Sequence, residues 1–353
     1  MAYDQLFHQI DHLVMCHSPS GAETELNTYL LDRLSALGVE HWQDEADNII
    51  AKIPGRSQTS DNGAAQPERA IAITGHKDEI GAIVKTIQRN GRITVGPLGG
   101  AFPWVYGEGV VDVLGDHTTV SGILCFGSRH VSHQSPQKEH QEGKAVLWED
   151  AWIETTLSQE ALADAGVHPG TRVVVGKHRK RPCRLGNYMA SYTLDNKASV
   201  AILLALAERL QQPPVTVYLV ASAKEEVGAV GALYFTQRHR LEGLIALEIC
   251  PLSREYPIQA GEQPVLLYQD GYGLYDDGLN RDIRRAAAVA GVSLQLTTLS
   301  SFGSDGSIAM KFGHVSRAAC LSFPTQNTHG YEIAHLGAIA ECIEILVCYC
   351  NDL

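Results

Sequence analysis

Residues 198–206, ASVAILLAL, form the most apolar helical stretch in the chain, with Leu210 beyond them and Asp195 and Asn196 at their start. Too many faces of this helix are apolar for it to lie at a surface, so other elements must pack around it in a layered fold. An acid in that position can act as a plain cap, meeting free N–H groups and the helix dipole. Asp195 departs from that role because four other metal-compatible positions fall at strand ends elsewhere in the chain.

With 353 residues the chain is long for one compact unit and implies two or three domains. Lys+Arg minus Asp+Glu is 28 − 40 = −12, which argues against nucleic acid or an anionic membrane as the main partner. The one basic run, residues 177–184 (KHRKRPCR), is short and has no interleaved aromatics, so it reads as a solvated link. The opening MAYDQLFHQIDHLVM carries acids and no Lys or Arg, unlike a secretory leader. No run approaches the ~18 apolar residues of a membrane span, and a cytoplasmic protein is expected. The eight cysteines contain no CxxC pair and read as reduced, mostly buried thiols. Cys348 and Cys350 lie two apart on an expected helix, about 200° around it, so they do not share a face.

Along the chain, Phe7, Ile10, Leu13 and Val14 mark an amphipathic helix that Ser18-Pro19-Ser20-Gly21 ends. Ser20 and Glu23 have capping-box spacing before a helix striped by Leu26, Leu30, Leu34 and Leu37 and ended by Gly38. Strands are expected at 39–42 and 48–53, and a loop at 54–69. A fully apolar strand at 70–74 then delivers Gly75-His76-Lys77-Asp78-Glu79, the polar carboxyl end at which α/β proteins place ligand sites. From about 87 to 181 the texture changes to short β-like pieces at 92–95, 110–114, 122–126, 145–152 and 172–176. Gly-rich turns separate them, including 96–100 (GPLGG), with one helix at 158–166 and a His-rich loop at 128–143 that reads as solvated.

After 181 the α/β rhythm returns, with strands expected at 215–222, 244–248, 265–268, 294–299 and 317–322. Helices are expected at 229–237, 279–290 and 334–350, a turn at 303–307 and a loop at 324–329. The fold class is therefore α/β: a mixed, mostly parallel sheet flanked by helices, with an inserted β domain. Residues 1–86 and 182–353 make the two parts of one α/β domain, and 87–181 make the insertion, because the first part has too few elements to cover both faces of a sheet.

His76, Asp195, Glu225, Glu226, Glu248 and His329 all fall at an apolar strand's end or a helix's start. Carboxylates packed together raise one another's pKa unless cations neutralise them, and two divalent ions would do so. Two imidazoles with three carboxylates, one of them bridging, suit Zn(II) or Co(II) better than Mg(II) in a hydrolytic site. Glu225 and Glu226 diverge as neighbours, so one can bind metal while the other stays free as a general base. Asp78 is spaced to hydrogen-bond the far ring nitrogen of His76 and fix its tautomer. The chain has no GxSxG elbow, no P-loop and no HExxH. His329 and His335 in HGYEIAH are six apart, about 240° around a helix, and cannot ligate as a zincin pair.

These residues resemble the TET-type, glutamyl aminopeptidase-like metallo-aminopeptidases of clan MH. The resemblance runs in order through SPSGAE, GHKDEIG, the β insertion, TLDNKAS, KEEVGAVGA, a strand ending in an acid, a GSDGS turn and THGYE. It implies one metal held by His76, Asp195 and Glu248 and a second held by Asp195, Glu226 and His329, with Asp195 bridging and Glu225 as base. It also implies a PDZ-like insertion used in oligomerisation, a short-peptide substrate and often a hollow tetrahedral dodecamer. Two positions depart from the family pattern: Glu248, where Asp is usual, and Gly330-Tyr331, where Ser-Pro or Thr-Pro follows the last histidine. A same-clan deacylase or amidase on a small peptide-like solute, and a carboxylate-pair glycosidase, are the competing activities.

Overall fold

Four apolar strands carry the chain's centre, and their order decides where its polar residues meet. In a computed structural model, which describes residues 3–56, 69–128, 130–131 and 135–352, Thr216–Ser222, Ala70–His76, Leu244–Pro251 and Ala318–Gln326 lie side by side and parallel. Every residue of the first two is buried, which is why they read as unbroken apolar runs. Antiparallel strands extend this spine at both margins into a twelve-stranded mixed sheet. Ile49–Ile53 and Glu40–Gln43 add on one side. Tyr331–His335, Tyr188–Tyr192 and Cys183–Leu185 add on the other. Val265–Asp270 pairs with the first half of Ala318–Gln326, so that strand has different neighbours along its length.

The apolar helix predicted from 198–206 spans Leu194–Arg209 and is buried from Leu194 to Ala207. It lies against one face of the sheet, in one core with Tyr3–Met15, Thr24–Leu37, Asp277–Ala290 and Leu336–Asn351. The opposite face is covered by Val230–Arg238 and Asp305–Lys311. Strands from before and after the insertion thus share one sheet.

The insertion is a closed barrel of six strands with its own apolar core. They are Gly81–Ile87, Ile93–Leu98, Gly109–Leu114, Thr119–Cys125, Trp152–Glu154 and Arg172–Val175. The break expected between 86 and 87 falls inside the first of these, because the apolar run from Ile80 pairs with Ile93–Leu98 and Arg172–Val175 rather than with the large sheet. Residues 96–98, expected in a turn, finish the second strand, and 145–152 holds a short 3-10 turn at Trp148–Asp150 before its strand.

Other local expectations gave way to tertiary partners. The Ser20–Glu23 capping box does not form: Ser20 Oγ donates to Asp78 Oδ2 at 2.6 Å, and Glu23 pairs with the buried Lys77. The GSDGS segment starts the helix Asp305–Lys311, with Ser304 and Ser307 forming a capping box. Residues 334–335, expected to open the last helix, instead end the strand Tyr331–His335, which pairs with Ala318–Gln326 on one side and Tyr188–Tyr192 on the other and precedes Leu336–Asn351. The basic run is not a solvated link either. Lys177–Lys180 is a short helical turn, and Lys180 is fully buried against Glu79. All eight cysteines are unpaired, and Cys250, Cys320, Cys342 and Cys350 are buried. His130 and His140 are exposed, while His133 and residues 57–68 of the expected loop lie outside the described residues.

Candidate metal centre

The site forms where the parallel strands end. His76 closes Ala70–His76 in register with Ser222, and Glu225 and Glu226 follow Ser222 in the next turn. His76 and Glu248 each lie two residues beyond the Thr74–Ala246 pair, which sets them on neighbouring strands at one level. Asp195 enters from Leu194–Arg209, before the helical dihedrals begin. His329 stands just before Tyr331–His335.

Asp195 lies between the two imidazoles and offers one oxygen to each. Its Oδ1 is 3.0 Å from His76 Nε2, and its Oδ2 is 3.5 Å from His329 Nε2. Glu248 Oε1 lies 3.9 Å from His76 Nε2, and Glu226 Oε1 lies 3.6 Å from His329 Nε2. Two overlapping donor sets result, His76–Asp195–Glu248 and Asp195–Glu226–His329, each with its ligand atoms within 4.8 Å of one another. A tetrahedral site with bonds of about 2.0–2.1 Å spaces its ligand atoms about 3.4 Å apart. The observed spacings bracket that value, so the residues fit two divalent cations sharing one carboxylate.

The electrostatics point the same way. Burial raises Glu248, Glu226 and Glu225 well above the usual carboxylate range. His76 counters that rise while neighbouring carboxylates add to it. Burial would lower His76, yet Glu248, Asp195 and Asp78 hold it well above its ordinary value. Such a cluster needs positive charge, which a pair of cations would supply.

Glu225 belongs to neither donor set. Its Oε2 is 4.0 Å from His76 Nε2, and its main-chain N–H donates to Asp78 Oδ1 at 2.9 Å. Asp78 meets the far nitrogen of His76, as expected, through both its main chain and its carboxylate. The far nitrogen of His76 meets the main-chain carbonyl of Asp78 at 3.1 Å, with the carboxylate farther off at 3.5 Å. A carbonyl only accepts, so Nδ1 carries a proton and Nε2 faces the cluster. The Asp78 carboxylate also gathers the Glu225 and Glu226 N–H groups and the Ser20 hydroxyl, fixing the turn that bears both glutamates.

Two contributors were not singled out from the sequence. Gly100, from the barrel, presents its carbonyl 3.3 Å from His329 Nδ1 and orients that ring as Asp78 does for His76. The only sequence sign was the paired glycine, for a Cβ at Gly100 would stand 2.7 Å from the imidazole. Glu332, buried at 1% exposure, accepts the main-chain N–H groups of Asp195 and His329.

A sequence model described as M42 glutamyl aminopeptidase matches residues 55–345. This chain belongs to the M42 glutamyl aminopeptidase family. It is thus a peptidase-type hydrolase, and the resemblance read from the motifs is the family itself. Among its relatives, a putative aminopeptidase YhfE of Bacillus subtilis (strain 168) is 24% identical over 350 residues, covering 96% of this chain and 95% of its own. The aminopeptidase APDkam598 from the archaeon Desulfurococcus kamchatkensis superposes with a TM-score of 0.87 at 22% identity, over 99% of this chain and 96% of its own. The TET1 peptidase of Pyrococcus horikoshii does so with a TM-score of 0.86 at 19% identity, over 99% of this chain and all of its own. M42 membership and these superpositions account for the mixed sheet and its barrel as one fold.

Proposed function

We propose that this chain is a dinuclear, metal-dependent aminopeptidase that removes N-terminal residues from short peptides. The observation that carries this reading is the pair of donor sets sharing Asp195, with Glu225 beside them and outside both. His76, Asp195 and Glu248 would hold one Zn(II) or Co(II), and Asp195, Glu226 and His329 the other. When bound, such cations polarise a scissile carbonyl and make water acidic enough to attack it near neutral pH. Glu225 accepts a proton from the attacking water and returns it to the leaving amine, with Asp78 holding its backbone in place and burial keeping its proton affinity high.

The cleft over the site, about 640 Å³, is walled by Phe102, Trp104, Tyr256, Tyr272 and Phe302, and no lysine or arginine lines it among the described residues. An apolar or aromatic N-terminal side chain fits such a wall, whereas an acidic one would find no lysine or arginine to pair with and would face Glu255. A panel of leucyl, phenylalanyl and glutamyl amides, free and N-blocked, assayed with and without chelator, tests the reading. Chelator-sensitive hydrolysis of the free leucyl and phenylalanyl amides is expected. Amide hydrolysis that survives exhaustive chelation would overturn the metal dependence, chelator-resistant cleavage of a glycoside would favour the carboxylate-pair glycosidase, and preference for N-blocked substrates would favour a deacylase.

The TET1 peptidase of Pyrococcus horikoshii can assemble into a tetrahedron or a large octahedral shell, and we extend homo-oligomerisation, with a tetrahedral dodecamer as its closed form, to this chain. The barrel is the expected contact module, and light scattering that found a monomer at working concentration would reject this. Eight unpaired cysteines suit the reducing cytoplasm, where we place the protein. No helix of the described residues is long and apolar enough to cross a membrane.

A further inference from the structure

Glu332 is at least as buried as the residues of the two donor sets but belongs to neither. The strand Tyr331–His335 pairs with Tyr188–Tyr192 so that Glu332 lies opposite Ser191, a few residues before Asp195. From there its carboxylate divides between two main-chain donors. Oε2 accepts the N–H of Asp195 at 2.9 Å, and Oε1 accepts the N–H of His329 at 3.0 Å. Those residues are the bridging and terminal members of the second donor set, and no other side chain among the described residues accepts from both N–H groups. His329 sits at φ 63°, a left-handed conformation that costs an L residue about 1–3 kcal/mol unless its surroundings hold it there. The neighbouring Gly330 N–H closes onto the Asn327 carbonyl at 2.9 Å, and the Glu332 carboxylate joins the main chain of that turn to the main chain of Asp195.

We propose that Glu332 is a positioning residue whose carboxylate, by bridging the backbones of Asp195 and His329, sets the spacing of the second metal site and so its affinity. This rests on the two-cation reading of the centre. A carboxylate suits the task because it is acceptor-only on both oxygens. An amide of the same shape offers one oxygen and one NH₂, and the NH₂ would face an N–H, so one of the two ties must break. His76 and Glu248, which complete the first donor set with Asp195, have no hydrogen bond to Glu332, so the first site should feel the change far less.

The test is Glu332→Gln, titrated with Co(II) alone beside the wild type, reading bound stoichiometry, the two dissociation constants and the visible cobalt spectrum, with the thermal transition of the metal-free protein as a check on folding. The expected result is a second-site affinity weaker by about 10–100-fold, the range for losing a residue that orients a ligand. First-site affinity and the metal-free transition should stay close to wild type. His329→Ala serves as the reference for a lost second site. If Glu332→Gln does not fold, Glu332→Asp, which keeps two accepting oxygens on a shorter stem, is titrated in the same way and the same outcomes decide. A variant that binds both ions as tightly as wild type overturns the proposal while leaving the two-cation centre standing. So does a variant that weakens both sites equally while its metal-free transition falls, since that is a purely structural role. A wild-type protein that binds no Co(II) overturns the centre and this proposal together.

Discussion

Residue by residue, the site separates side chains that could donate to a metal from those that aim them. Glu225 and Glu226 are adjacent in sequence, yet only Glu226 lies in a donor set, at 3.6 Å from His329. Glu225→Gln is expected to keep both ions and turn over about 10²–10⁴ more slowly, the usual loss for a general base. Glu226→Gln should lose or weaken the second ion, and metal analysis with turnover on both variants decides the roles. The reverse pattern would exchange them. Gly100 makes a sharper demand, because its carbonyl orients His329 while its missing Cβ leaves room for the ring. Gly100→Ala should push the imidazole away and weaken the second ion about tenfold or more. Equilibrium metal titration checks this, and unchanged binding would show that the loop yields instead. His76, Asp195, Glu225, Glu226, Glu248 and His329 were singled out in the sequence because each falls after an apolar strand or at a helix start, and the fold brings them together. Gly100 was not, since a main-chain carbonyl is identical at every position and only its location makes it useful.

Between elements, the insertion meets the α/β domain through two crossings, residues 77–80 and 176–182, and a buried ionic group ties them together. Glu79 pairs with Lys180 from the other crossing and with Lys197, 3.2 Å away on the apolar helix. His17 Nδ1 faces Lys180 Nζ at 3.0 Å, and its Nε2 meets Asp112 of the barrel at 3.0 Å. Burial pushes the Glu79 carboxyl up, but Lys180, Lys197 and His17 overcome it and hold it at about 2. Burial lowers Lys180 to about 8 despite Glu79. A carboxyl whose folded value lies below its unfolded 4.5 contributes stability that is complete above pH 4.5 and is lost as pH falls through about 2. Glu79→Gln should therefore flatten the dependence of unfolding free energy on pH between those values, as followed by denaturant titrations at stepped pH. A slope equal to wild type would remove Glu79 from the acid response. Lys180→Met leaves that carboxylate with one fewer cation, and breaking a buried pair typically costs about 3–5 kcal/mol. A clearly lower thermal midpoint is expected, and a midpoint within one degree of wild type would refute the tie. The basic run around Lys180 reads as a solvated link by composition because charge alone does not reveal burial. Its partner lies 101 residues away.

Across the molecule as a unit, the centre joins His76 and His329, distant in sequence, to Asp195, Glu226 and Glu248, so folding without cations brings the charges of these carboxylates together. An ion that binds only the folded state stabilises it by RT ln(1 + [L]/Kd), about 2.7 kcal/mol at one hundred times Kd. The chelated protein should therefore melt lower than the same protein in excess Zn(II), with a midpoint that climbs as the metal is raised. Calorimetry across a metal series checks this, and a midpoint indifferent to metal would contradict the two donor sets. Read in one dimension, the chain already specified its α/β class, the β-rich insertion and the buried helix of residues 198–206, and it offered the six polar residues that the fold gathers. Each of these is written in a local pattern, either a periodicity or a polar break after an apolar run, and local patterns survive without knowledge of distant partners. The strand order, the membership of Gly81–Ile87 in the barrel, the burial of Lys180, and the parts played by Gly100 and Glu332 emerged only with the packed fold. The reason is distance along the chain: Gly100 meets His329 across 229 residues and Glu332 meets Asp195 across 137. Such contacts follow from how whole layers pack rather than from the residues on either side.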